Sequence, residues 1–228
     1  MIRNFQLWKN NNDELYSLAK NMILHNRSER FNFIEDNQYN HIRDLLCFVL
    51  LRLNQVQNKE KFRIIDFGSN AATWANLSNK ILMRDYDISI FDPTYDYANN
   101  ETLKFDFPVK IFSEIDNLLL LDFDLSVFGS CIQYIEDFFD LIKKYNFLIS
   151  DTILFTHTPL ALGSTFTTNQ HSSFTGKQII YSFDDLITFF EQIGYECIYK
   201  SLLPNISSKV DRDDLSKVIY INLLFTKK

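Results

Sequence analysis

Glycine and proline are scarce, five and four in a chain of 228 residues. That argues against a loop-rich all-β shell, which uses many turn residues. Basic charge is short as well: 23 Lys and Arg stand against 29 Asp and Glu, a net charge of −6. This argues against a general nucleic-acid binder, which presents a basic face. The three cysteines, Cys47, Cys131 and Cys197, are odd in number and widely spaced, with no C-x-x-C pair. Neither a zinc ribbon nor a thioredoxin motif is available, and buried thiols in a reducing cytoplasm are expected. The four histidines, His25, His41, His157 and His171, lack ligand spacing, so no metal is expected. No apolar run approaches the roughly 18–20 residues of a membrane span. The start, Met1-Ile2-Arg3-Asn4-Phe5, lacks the apolar core of a signal peptide. A soluble, cytoplasmic protein is expected.

What is present is apolar and aromatic: 46% hydrophobic residues, with 22 Phe and 11 Tyr. Such a chain can bury a full core, and its length suits one domain. Up to about residue 60 the apolar period is helical. Ile42, Leu45, Leu46, Val49 and Leu53 make one face of a helix over about 36–57, and Leu15, Leu18, Ala19 and Met22 mark an earlier one over roughly 13–25. After Lys61, short apolar runs alternate with helix-like segments, the rhythm of a parallel sheet. Strands are expected at 62–67, 87–91, 109–112, 123–128 and about 149–156. Helices are expected around Trp74, Leu77 and Ile81, over about 136–145, and from Ser182, an N-cap, to Gly194. The last two runs, 195–203 and 218–226, are separated by a stretch without helical patterning, which favours an antiparallel pair.

In an open parallel sheet ligands gather at the carboxyl ends of the strands. Four such ends carry polar residues: Asp66 to Asn70, Asp92-Pro93, Gly129-Ser130-Cys131 and Thr156-His157-Thr158-Pro159. The first, with Gly68, Ser69, Asn70 and Ala71, is a strand–turn–helix start whose amides suit a carboxylate or phosphate. Asp92 lies 24 residues past Gly68, where a carboxylate accepts both hydroxyls of a ribose. A nicotinamide-dependent oxidoreductase and a methyltransferase share these features. The terminal strand pair separates them: an antiparallel hairpin closing a sheet of seven strands is the class I methyltransferase arrangement, whereas a helical crossover between 203 and 218 would mark the oxidoreductase. No G-x-S-x-G elbow is present, and Ser130 lacks the second glycine, which argues against an α/β-hydrolase.

The chain also resembles the S-adenosylmethionine-dependent methyltransferases found among bacterial surface-polysaccharide and glycan genes. The matching segments are Ile65-Asp66-Phe67-Gly68, Phe128 to Ile135, Thr156-His157-Thr158-Pro159, Thr168-Asn169-Gln170 and Phe183 to Tyr195, in the family's order. The resemblance implies a three-layer, Rossmann-like α/β sheet domain over 61–228 behind an N-terminal helical lid over 1–60. It implies S-adenosyl-L-methionine as cofactor and a small sugar, nucleotide-sugar or glycan precursor as acceptor, with no nucleic acid as partner. The cofactor cradle is then Asp66, Gly68, Ser69, Asn70, Ala71, Asp92, Ser113, Glu114, Gly129 and Ser130. Gln133, Tyr134, Asn169, Gln170 and His171 face the acceptor, and His157 is a candidate general base whose ordinary pKa near 6.5 suits the task. A fold that binds without transferring, suggested by the single glycine of the first turn, stays open.

Overall fold

The computed structural model describes residues 45–51, 53, 61–68, 86–93, 109–169, 176–203 and 217–228. The earlier N-terminal helix and the one carrying Trp74, Leu77 and Ile81 lie outside the described residues, as does most of the 1–60 extension. Nine strands are described: β1 (Phe62–Phe67), β2 (Tyr86–Phe91), β3 (Val109–Phe112), β4 (Leu125–Gly129), β5 (Thr152–Ala161), β6 (Phe166–Asn169), β7 (Lys177–Ile180), β8 (Tyr195–Leu202) and β9 (Val218–Lys227). Helix α1 covers 45–51, α2 is Phe138–Lys144 and α3 is Phe183–Gln192.

Seven strands form one sheet in the order β3-β2-β1-β4-β5-β9-β8. β1 to β5 are mutually parallel, while β9 runs antiparallel to both β5 and β8. The expected terminal hairpin is therefore present, and the parallel last strand of an oxidoreductase is not.

Side-chain alternation along the strands makes two cores. Phe62, Ile64, Ile88, Ile90, Leu125, Val127 and Leu154 meet Leu46, Val49 and Leu50 of α1 on one face. Ile65, Phe67, Phe91, Phe128 and Phe155 meet Phe138 of α2 and Leu186, Phe189 and Phe190 of α3 on the other. The result is three layers. α3 follows its sequence signals: the Ser182 hydroxyl accepts from the Asp185 amide at 3.3 Å, Asp184 and Asp185 sit where the helix dipole favours anions, and Gly194 closes the helix at φ +92°. α2 begins differently. Asp137, at φ +52°, makes no side-chain cap, and the Tyr181 hydroxyl accepts from the Phe138 amide instead, at 3.1 Å, while donating to the Ile135 carbonyl at 2.6 Å.

Two expectations need correction. First, β5 does not end at Thr156–Pro159 but runs on to Ala161. Beyond the Gly129–Thr156 pair β4 has stopped, so β5 continues on β9, with a single bridge from Ala161 to Ser182 on its other side. The Ala161 amide turns away from β9 to the Tyr181 carbonyl, and Pro159, two residues earlier, faces the same way. Its missing N–H therefore breaks no ladder bond. Second, the sequence reading places no strand between 157 and 182. A two-stranded antiparallel sheet, β6–β7, occupies part of it. Its short alternating strands carry Thr168 and Gln178 inward, and such polar pairs give little periodic signal.

Candidate functional site

The site is positioned by a row of phenylalanines. Phe112, Phe91, Phe67, Phe128 and Phe155, from β3, β2, β1, β4 and β5, stand side by side in register. Phe67 and Phe128 stack at 4.5 Å between ring centroids, Phe128 and Phe155 at 5.1 Å, and Phe67 meets Phe91 edge-on at 5.7 Å. Each is followed by a small or polar residue: Ser113, Asp92, Gly68, Gly129 and Thr156. Because the strands are parallel, this second row also lies side by side, at the carboxyl edge. The ladder reaches it. The Gly68 amide donates to the Phe91 carbonyl, the Asp92 amide to the Phe112 carbonyl and the Ser130 amide to the Thr156 carbonyl, each at 2.9 Å.

At and just past this row the backbone takes left-handed conformations on three strands. Gly68 has φ +69°, and Ser130 and His157 each have φ +50°. For Gly68 this costs nothing sterically. For serine and histidine the region is rare, so surrounding contacts must hold it. β1 and β4 thus end at or just past this row, while β5 is interrupted at His157 and runs on.

Two carboxylates belong to this edge. Asp66 is buried at the end of β1, and Asp92 is half-buried just past β2. Both act on Cys131, whose thiol is pushed well above its usual range, first by burial and then by the charges of Asp66 and Asp92. That thiol stays protonated and unreactive.

Past Ser130 the chain makes a 3-10 turn, Ile132–Tyr134. Gln133 is 2% exposed, and its Nε2 donates to the Ser130 carbonyl at 2.8 Å and to the Ser130 hydroxyl at 3.3 Å. This seats its carboxamide at the edge. Among the described residues its buried Oε1 has no hydrogen-bond partner. Such an atom calls for a donor. Strand β7 packs against this turn, and Tyr134 is half-buried within it.

The remaining candidates are more scattered. Ser113 is half-buried and Glu114 exposed, and both follow β3 at the sheet margin. Asn169 ends β6 and is exposed. Ser69, Asn70, Ala71, Gln170 and His171 lie outside the described residues. His157 is half-buried inside β5, not at its end. Its ring stacks on Tyr220 at 5.0 Å, and its backbone N–H donates to the Asn222 side-chain oxygen at 2.8 Å. Among the described residues no group of three or more metal-ligating side chains is found, and no helix is long and apolar enough to cross a membrane.

Sequence reasoning missed Asn222, and it named Thr156 in a strand end without giving it a role. The repeated pairing of Phe with a small or polar residue at five strand ends was the available signal for Thr156, because it sets the register of the whole edge. Asn222 carries no such signal, since its role depends on a bulge in another strand.

No family model matches the chain, and no curated protein matches it. Solved structures do. Similar ones are Burkholderia thailandensis 1,6-didemethyltoxoflavin-N1-methyltransferase, solved with bound 1,6-didemethyltoxoflavin and S-adenosylhomocysteine (TM-score 0.54, 10% identity, 96% of this chain and 90% of that one), and the N-terminal domain of EvdMO1, solved in the presence of S-adenosylhomocysteine and D-fucose (0.55, 11%, 85% and 84%). A third is magnesium protoporphyrin IX methyltransferase from Synechocystis PCC 6803 with S-adenosylhomocysteine (0.51, 10%, 86% and 87%). The chain has the class I methyltransferase fold. In this fold the row Ser113–Asp92–Gly68–Gly129 lies where the parallel strands end, on both sides of β1, from which the sheet order grows in opposite directions.

Proposed function

We propose that this protein transfers a methyl group from S-adenosyl-L-methionine to a hydroxyl or amine of a sugar or glycan precursor. One observation carries the reading: Asp92 and the turn at Gly68 occupy the same carboxyl edge, one strand apart and in register. The donor set fits the cofactor. The Asp92 carboxylate offers acceptors to the two ribose hydroxyls, and the left-handed turn at Gly68 brings backbone close to a bound methionine carboxylate. The buried Oε1 of Gln133 awaits a ligand N–H or O–H. When bound, the cofactor supplies a methyl carbon already activated by sulfonium, so the protein has mainly to align an acceptor in line with it.

The residues divide the work by position. Asp66, Gly68, Ser69, Asn70 and Ala71 hold the methionine end, Asp92 the ribose, and Ser113 and Glu114 the adenine side. Gly129 and Ser130 pass beneath the reacting centre. His157, on the next strand, receives the proton that the acceptor oxygen or nitrogen loses as its bond to carbon forms. Gln133, Tyr134, Asn169, Gln170 and His171 meet the acceptor. A protein of this fold solved in the presence of D-fucose supports the sugar reading.

Calorimetric titration with S-adenosylhomocysteine tests the cofactor, with a one-site isotherm expected. No heat and no thermal shift at millimolar ligand would overturn the reading. Transfer of labelled methyl from S-adenosyl-L-methionine to a panel of nucleotide sugars tests the acceptor, and label on an aromatic amine alone would replace it.

A further inference from the structure

We infer that Asn222 is the positioning residue for His157: its side-chain oxygen holds a bulge in β5 that fixes where the imidazole stands. The catalytic half of this inference rests on the methyl-transfer reading.

The geometry begins with a mismatch between two strands. Phe155 pairs with Leu223 and Thr158 with Ile221, so two residues of β5, Thr156 and His157, oppose the single residue Asn222 of β9. A bulge of this kind leaves one backbone N–H without its ladder carbonyl. Here it is that of His157, and the Asn222 side-chain oxygen accepts from it at 2.8 Å. A side chain thus does the work of the missing carbonyl, supplied by the residue directly opposite. Asn222 is 3% exposed, so water has little access to take its place.

The consequence falls on the side chain of His157. Its backbone adopts φ +50°, a conformation that β-strand histidines rarely hold, and its ring lies on Tyr220 with 29° between planes. Tyr220 and Asn222 alternate along β9 with Ile221 and Leu223, which enter the core lined by α2 and α3. Both therefore stand on the opposite face of the sheet. A regular β5 would continue the alternation past Phe155 without interruption, and the extra residue at the bulge resets it. Directly across from His157 the neighbouring strand turns left-handed at Ser130, whose amide closes the last bond to Thr156. Asn222 thereby couples the antiparallel half of the sheet to the position of a group at the edge of the parallel half.

The test reads the imidazole itself. The protein is labelled with ¹⁵N-histidine, and the His157 resonance is assigned among four histidines by a His157→Gln variant. In the wild type the ring protons are expected upfield, shifted by the Tyr220 ring, and Tyr220→Leu removes that shift. Asn222→Ala is expected to remove it too, with the S-adenosylhomocysteine Kd held within twofold and kcat lowered at least tenfold at unchanged cofactor KM. Asn222→Asp, which keeps an oxygen acceptor, is expected to retain the upfield shift, and it serves if the alanine variant does not fold. An unchanged His157 resonance in folded Asn222→Ala, or loss of the shift in folded Asn222→Asp, overturns the inference. If the wild type fails to bind S-adenosylhomocysteine while the resonances behave as stated, the methyl-transfer reading fails and the coupling stands.

Discussion

Two rows of residues cross this sheet one position apart, and they differ in almost every property. The first, Phe112, Phe91, Phe67, Phe128 and Phe155, is apolar, and its last four members are at most 1% exposed. The second, Ser113, Asp92, Gly68, Gly129 and Thr156, carries small or polar side chains, with a left-handed residue at or beside it on three strands. Burying a phenylalanine contributes roughly 1.5–3 kcal/mol, so the first row resists any slip in register. A slip of one residue by any of these strands would take its ring out of the row and put a small or polar residue in its place. The stability of one row therefore fixes the geometry of the other.

Breaking the first row has the largest expected effect. Phe128→Ala removes the ring stacked on both Phe67 and Phe155 and is expected to cost about 3–5 kcal/mol. Chemical denaturation followed by circular dichroism measures it. Breaking the second row acts on binding instead. Asp92→Ala is expected to cost far less stability than Phe128→Ala, because it removes no buried ring. It is expected to weaken S-adenosylhomocysteine by about 1.5–3 kcal/mol, the worth of hydrogen bonds to a charged group, read by calorimetry.

A smaller effect comes from the hydroxyls behind the aromatic row. Burial pushes Tyr181 and Tyr195 up to about 12. Their unfolded value is about 10. The stability they contribute as neutral phenols is thus complete below about pH 10 and is lost as pH rises through about 12. Unfolding free energy followed from pH 8 to 12 is expected to fall, and Tyr181→Phe is expected to flatten the fall while lowering stability at pH 8 by about 1–3 kcal/mol, because the Phe138 amide and the Ile135 carbonyl lose their partner. The smallest change is Ser182→Ala. Loss of that cap is expected to cost about 1 kcal/mol by denaturation, with cofactor affinity unmoved, because α3 packs on the aromatic face alone.

The same contrast explains what was legible in the sequence. Strands β1 to β4 announced themselves through dense apolar runs, and Ser182 and Gly194 bounded α3 through their own local chemistry. The place of Asp92 and Gly68 at the carboxyl edge was legible because each follows such a run directly. The bulge at His157 was not. It depends on Asn222, 65 residues away, and local pattern does not carry a pairing between distant strands. Pro159 misled for a related reason: it ends a strand only where its missing N–H would face a partner. The β6–β7 hairpin was hidden because Thr168 and Gln178, polar in sequence, are buried in the fold.

A crystal structure of the complex with S-adenosylhomocysteine tests the central claim most directly. The expected result is the ribose diol within about 2.6–3.2 Å of the Asp92 carboxylate, with the amino-acid end against the Gly68 turn. Density for the ligand elsewhere, or an Asp92 carboxylate turned away from it, would contradict the account.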